Sequence, residues 1–201
     1  MDLRIYDTKN RIVNALFACM KEKPLKDILN QDVIKEAQIS SRTFYRYYSD
    51  KYAVLEEFEQ EFINGLTKAL EKDRESLSSL DHIPTKEEIY QLADSAFQHT
   101  LAFCIPYMRY GKILLSRNGD INFIWLIRDA AEAEFEKRKK FLYGDNTETD
   151  SLIDKLYVGE LISTIETWLL YSDDFSPKQI RTLLGEVQVL SPAELLARNT
   201  K

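Results

Sequence analysis

Residues 41 to 51 concentrate the side chains best suited to chemistry: Ser41, Arg42, Thr43, Tyr45, Arg46, Tyr47 and Lys51, interleaved with Phe44 and Tyr48. Wound as a helix, Phe44 and Tyr48 stand four apart on one side. If those two rings pack inward, Ser41, Arg42, Tyr45 and Arg46 point outward, with Thr43 and Tyr47 on the flanks. A guanidinium on such a face can pair bidentately with a guanine edge, and Ser and Tyr hydroxyls reach phosphates or bases. Lys51, near the start of the next helix, can meet a phosphate backbone as a point charge. The chemistry is recognition, not bond making.

The elements around this run suit that use. Val33, Ile34 and Ala37 give a short helix an apolar side, with Asn30 as its expected cap and Asp32 in its first turn. A three-residue connection follows, Gln38-Ile39-Ser40, and Ser40 caps the helix that carries Arg42. Ser49 or Asp50 starts a long helix from Lys51 to about Ser76, with Leu55, Phe58, Phe62, Leu66 and Leu70 inward. Two short helices on a tight turn, the second bearing the polar face, form the helix-turn-helix layout. Before it, Ile12, Ala15, Leu16 and Cys19 mark one face of a first helix, capped at Asp7 or Thr8 and ended before Pro24.

The remainder also reads as helices. Ser78 to Thr85 is a loop, and Thr85 with Glu88 forms a capping box for a helix running to Ile105, broken by Pro106. Further helices are expected at 107–116, 121–143, 150–172 and 176–190, with a last turn after Ser191-Pro192. They are separated at Asn118-Gly119-Asp120, Gly144-Asp145-Asn146 and Asp173-Asp174-Phe175-Ser176-Pro177. With six glycines, five prolines and no alternating strand pattern, the class is all-α. An N-terminal three-helix helix-turn-helix domain (1–50) is joined by a long helix to a C-terminal helical bundle (51–201).

The 201 residues carry a net charge of −6, unevenly spread: ten basic and ten acidic residues cancel within 1–60, so the rest bears the whole excess. Between 35 and 51, Lys35, Arg42, Arg46 and Lys51 outweigh Glu36 and Asp50. A basic patch on an acidic body suits a protein that meets phosphates through one small surface.

With those residues in view, Ser41 to Lys51 resembles the Thr-x-Tyr-x-x-Phe-x-x-Lys signature of the tetracycline-repressor-like (TetR) family of bacterial transcriptional regulators. The run Asp32-Val33-Ile34-Lys35-Glu36-Ala37 resembles that family's bracing helix. The resemblance implies phosphate contacts at Thr43, Tyr45, Tyr47 and Lys51, and base or groove contacts around Ser41, Arg42 and Tyr45. It also implies a palindromic operator in double-stranded DNA, bound by a homodimer acting as a repressor, with release by a small-molecule effector. Two positions depart from the pattern. Gln38 stands where the family often has Gly, at a turn that needs a left-handed backbone. Tyr48 replaces the usual core Phe, so its hydroxyl needs a partner.

Outside the reader the resemblance extends to Tyr157–Leu170 and Ser176–Ile180, similar to the two dimer-forming helices of that family. The stripes Leu161, Ile165, Trp168, Ile180 and Leu184 are the expected interface, the other reading being burial within the subunit. His99, Phe103, Cys104, Tyr107, Tyr110, Trp125 and Arg128 are the expected effector lining, with an ordinary aromatic core as the alternative.

No enzyme motif, cofactor site or metal-ligand spacing is present. His82 and His99 lack Cys or carboxylate neighbours at ligand spacing, and no Gly-rich phosphate loop or nucleophile elbow occurs. Cys19 and Cys104 read as reduced core thiols, and no apolar stretch is long enough for a bilayer, so a cytoplasmic protein without membrane partners is expected. A different reading keeps the fold but makes the chain a co-regulator that acts through protein–protein contacts.

Overall fold

The computed structural model describes residues 3–77, 82, 85–143, 151–171 and 175–198, and the described secondary structure is helical throughout. The helices are α1 (Leu3–Glu22), α2 (Asn30–Glu36), α3 (Ser41–Tyr47), α4 (Lys51–Glu75), α5 (Lys86–Ala96), α6 (Gln98–Cys104), α7 (Met108–Leu114), α8 (Asn122–Tyr143), α9 (Ser151–Leu170), α10 (Pro177–Val187) and α11 (Pro192–Arg198). Single 3-10 turns occupy Leu25–Asp27 and Ile105–Tyr107. The chain parts into two compact units, Met1–Asn64 with Arg109–Ile124 and Gly65–Met108 with Trp125–Lys201. The α4 helix contributes to both.

In the first unit Ile12, Leu16, Met20, Ile28, Val33, Phe44 and Val54 are fully enclosed. Phe17, Phe58 and Tyr110 stack edge to face at 4.7 to 5.0 Å, and Phe62 meets Phe123 at 5.2 Å. Aromatic edges against faces add to the area that such rings bury. In the second unit Leu77, Ala96, Phe97, Leu101, Trp168, Ile180 and Leu184 form a buried cluster, with Leu92, Met108, Leu161 and Ile165 packed against it.

Several boundaries differ from those expected. The α1 helix begins at Leu3, ahead of Asp7 and Thr8, because nothing in residues 3–8 stops it. The Thr8 hydroxyl donates back to the Arg4 carbonyl at 2.7 Å within the helix instead of capping it. Asn30 is the first residue of α2, not its cap. The Asp32 carboxylate accepts the Leu29 N–H at 2.8 Å and takes the Lys23 ammonium at 2.6 Å, which together hold its pKa down, the lysine contributing most. The helix expected from Thr85 to Ile105 breaks at Phe97, where φ is −128°. The fully buried Asp73 of α4 explains the break. Its carboxylate accepts the backbone N–H of His99 at 2.8 Å and of Thr100 at 2.9 Å, so a side chain from another helix caps α6. Capping boxes form at Thr85 with Glu88, at Ser176 with Gln179 just before Pro177, and at Ser191 with Glu194. Ser78, Ser79, Asp81 and Pro84, and the breaks at 144–146 and 173–174, lie outside the described residues.

Candidate nucleic-acid interface

The turn between α2 and α3 begins at Gln38, whose φ of 52° is the left-handed conformation that glycine adopts most easily. Arg11 of α1 braces it. Its guanidinium donates to the carbonyls of Ala37 at 2.6 Å and Gln38 at 3.0 Å, meeting the negative end of α2. Motif reading passes over Arg11, since its partners are main-chain carbonyls 26 and 27 residues away.

Ser40 then caps α3, accepting the Thr43 N–H at 3.1 Å while the two hydroxyls bond at 2.9 Å. Phe44 and Tyr48 are buried, as their spacing predicts, and Tyr48 lies just past the helix with φ −138°. The Tyr48 hydroxyl donates to Glu57 at 3.0 Å, and Glu57 also holds Lys9 at 2.8 Å, so the substituted core position has its partner. Burial, reinforced by Glu57, pushes the Tyr48 phenol well up, which keeps it a proton donor.

On the other side Ser41, Arg42, Tyr45 and Arg46 are exposed, and Thr43 and Tyr47 are half-buried. The Arg46 guanidinium donates to the Tyr47 hydroxyl at 2.8 Å. The Tyr45 hydroxyl accepts from the Asn30 amide at 3.5 Å. One helix face thus presents two guanidiniums and two hydroxyls to solvent over a core-anchored base.

Lys51 opens α4, as expected, but its side chain is turned inward. It is only 6% exposed, and its Nζ donates to the Lys26 carbonyl at 3.1 Å and to the Ile28 carbonyl. A buried ammonium needs such acceptors, and carbonyls at the end of a 3-10 turn supply them.

The residues expected to line an effector pocket are divided between the two units. Tyr110 belongs to the first unit, where it stacks on Phe17 and Phe58 and donates to Asn14 at 2.7 Å. In the second unit the His99 ring nitrogen contacts Asp73 at 2.9 Å. Phe103 tilts on Tyr107 at 5.0 Å and lies against Gly65, where a Cβ would come within 2.4 Å of the ring. Burial pushes the Cys104 thiol up to about 12 and raises that of Cys19, so both stay protonated. Trp125 is exposed, with the Arg128 guanidinium 5.8 Å from its ring. A cleft of about 350 Å³ is lined by Asp129, Glu132, Phe135, Glu136, Asp154 and their neighbours on α8 and α9.

The expected interface residues also face inward. Trp168, Ile180 and Leu184 are enclosed in the second unit's own core, with Leu161 and Ile165 against it. The enclosed residues lie where α10 packs on α5 and α9, while Leu161 and Ile165 are only half-buried. The apolar side chains of α9 left in water are Leu152, Ile153, Leu156 and Leu170. Among the described residues no cluster of three metal-ligating side chains occurs, and no helix is long and apolar enough to cross a membrane.

No protein-family model matches the chain. A curated relative, the uncharacterized HTH-type transcriptional regulator YxbF of Bacillus subtilis (strain 168), is 22% identical over 99 residues, which are 49% of this chain and 26% of that protein. A crystal structure from Syntrophomonas wolfei str. Goettingen, described as a putative TetR-family transcriptional regulator, superposes with a TM-score of 0.62 at 14% identity, covering 98% of this chain and 97% of that one. The chain therefore has the all-helical fold of that TetR-type regulator.

Proposed function

We propose that the protein is a TetR-family transcriptional regulator, without catalytic activity, that reads a palindromic operator as a homodimer and represses the genes beside it. The observation that carries this reading is the outward face of α3. Ser41, Arg42, Tyr45 and Arg46 are exposed together while Phe44 and Tyr48 anchor the same helix. That is the division of labour a recognition helix needs: an apolar side to fix it and a donor-rich side to enter the major groove. Thr43 and Tyr47 flank the face at phosphate-contact positions.

One such reader is too small to give both affinity and specificity, which favours a two-fold assembly. Its partner surface is the apolar side of α9 that the subunit leaves uncovered, Leu152, Leu156 and Leu170, interspersed with exposed Ser163 and Thr167. Release by a small-molecule effector completes the proposal, with no site assigned to it.

A gel-shift assay with the intergenic DNA adjacent to the coding sequence tests the reading. A shift that competes with the same duplex and not with mixed-sequence DNA is expected. No shift at any salt concentration would favour a co-regulator acting through protein contacts.

A further inference from the structure

Lys51 occupies the first position of α4, yet its ammonium points into the first unit. It donates to the carbonyls of Lys26 and Ile28 on the 3-10 turn that precedes α2. The Lys26 carbonyl is available because the Leu29 N–H, which would continue the 3-10 ladder, goes to Asp32 instead. The main chain of the same lysine makes a second tie. Its N–H donates to the Asn30 Oδ1 at 2.9 Å, and the Asn30 Nδ2 donates to the Tyr45 hydroxyl at 3.5 Å on the outward face of α3. The start of α4, the turn at 25–28, the start of α2 and the exposed Tyr45 are thus joined through one residue.

We infer that Lys51 is a positioning residue: it latches α4 to segment 26–30, sets the pose in which α3 offers Tyr45 and Arg42, and does not itself contact phosphate. The inference rests on the DNA-binding reading for its consequence but not for its geometry. A lysine that neutralised a phosphate would release a counterion on binding; a buried latch releases none. The exposed Arg46 is the natural comparison within the same reader.

Two measurements decide it. In the first, the intact wild-type protein is treated with an amine-acetylating reagent, with and without a mixed-sequence duplex of about 30 base pairs, and each lysine's rate is read by peptide mass spectrometry. Lys51 should react at least about tenfold more slowly than the exposed Lys26 and Lys35, because its amine is reached only through local opening, and the duplex should not change its rate further. A free-protein rate equal to that of Lys35, or protection of Lys51 that appears only with DNA, overturns the inference. In the second, affinity for the same duplex is followed from about 50 to 200 mM KCl. Lys51→Met should weaken binding with the salt slope unchanged, whereas Arg46→Ala should lower the slope by about 0.9. Lys51→Arg should not rescue, since the guanidinium is too large for the enclosed site. A slope lowered by about 0.9 in Lys51→Met, or full rescue by Lys51→Arg, overturns it. Failure of the wild type to bind the duplex at the lowest salt overturns the DNA reading instead, and the labelling ratio in the free protein still decides whether the latch exists.

Discussion

The α3 and α9 helices make opposite use of their surfaces. On α3 the polar and apolar side chains separate cleanly, so its composition states which side is buried. On α9 apolar residues lie all round: Val158, Ile162, Trp168 and Leu169 are buried, while Leu152, Ile153, Leu156 and Leu170 meet water. A helix apolar on every side is ordinarily enclosed on every side, and this one is enclosed by its own subunit on one side only. The difference separates two kinds of evidence. Donor groups declare a surface by their chemistry, whereas an apolar stripe says that something covers it and not what.

The sharpest break in the comparison is at Trp168, only 1% exposed within the subunit. Trp168→Ala should cost about 3–5 kcal/mol of folding stability, measured by denaturant unfolding, as an enclosed ring lost from a core. A variant that stays fully stable and merely dissociates would return Trp168 to an interface. Leu156, 65% exposed, should behave in the reverse way. Leu156→Asp should leave the unfolding midpoint of the subunit nearly unchanged and weaken self-association by more than about 2 kcal/mol, followed by sedimentation. An unaltered sedimentation profile removes α9 from the proposed interface. On the reader side, Arg42→Ala should cost about 1–3 kcal/mol of operator affinity and relax base preference, with no change in melting temperature. Equal affinity would place the contact elsewhere on α3.

A pH-dependent effect belongs to Glu59, enclosed in the first unit with Oε1 lacking a hydrogen-bond partner among the described residues. Burial first, then Asp120 and Glu56, push its carboxyl from the ordinary 4.5 up to about 7. The folded state therefore holds this proton more tightly than the unfolded chain. The resulting stabilisation is full below about pH 4.5 and is lost as the pH rises through about 7. Glu59→Gln should accordingly raise stability at pH 8 and leave it nearly unchanged near pH 4.5. An equal effect at both pH values would exclude the titration of Glu59 as its source.

The inward and outward sides of α3 are legible in sequence because the informative neighbours, Phe44, Tyr48 and Ser40, lie within the same few residues. The left-handed Gln38 is legible only through the resemblance, which marks the turn as a place for glycine. What escapes is whatever depends on a distant backbone. The partners of Lys51 are carbonyls of a 3-10 turn, and those of Arg11 are carbonyls at the end of α2; neither leaves a side-chain pattern. The break at Phe97 has no Gly or Pro to announce it, because its cause is Asp73 on another helix. Trp168, Ile180 and Leu184 show the limit for the body. Periodicity finds their stripes, but choosing between the subunit's own core and a partner requires knowing that α10 lies on α5.

The Asp73 carboxylate has a bearing on the order in which the second unit assembles. The seven residues of α6 are too few to persist as a helix alone, and no side chain of its own N-cap residue, Phe97, bonds its first turn. Its opening N–H groups of His99 and Thr100 are held by α4, some two dozen residues upstream. The chain must close that loop before α6 gains anything by winding, so α6 forms after α4, as a late and non-local event. Asp73→Asn, which weakens the hold without emptying the space, should then speed unfolding while leaving the folding rate nearly unchanged, the kinetic mark of a contact absent from the transition state.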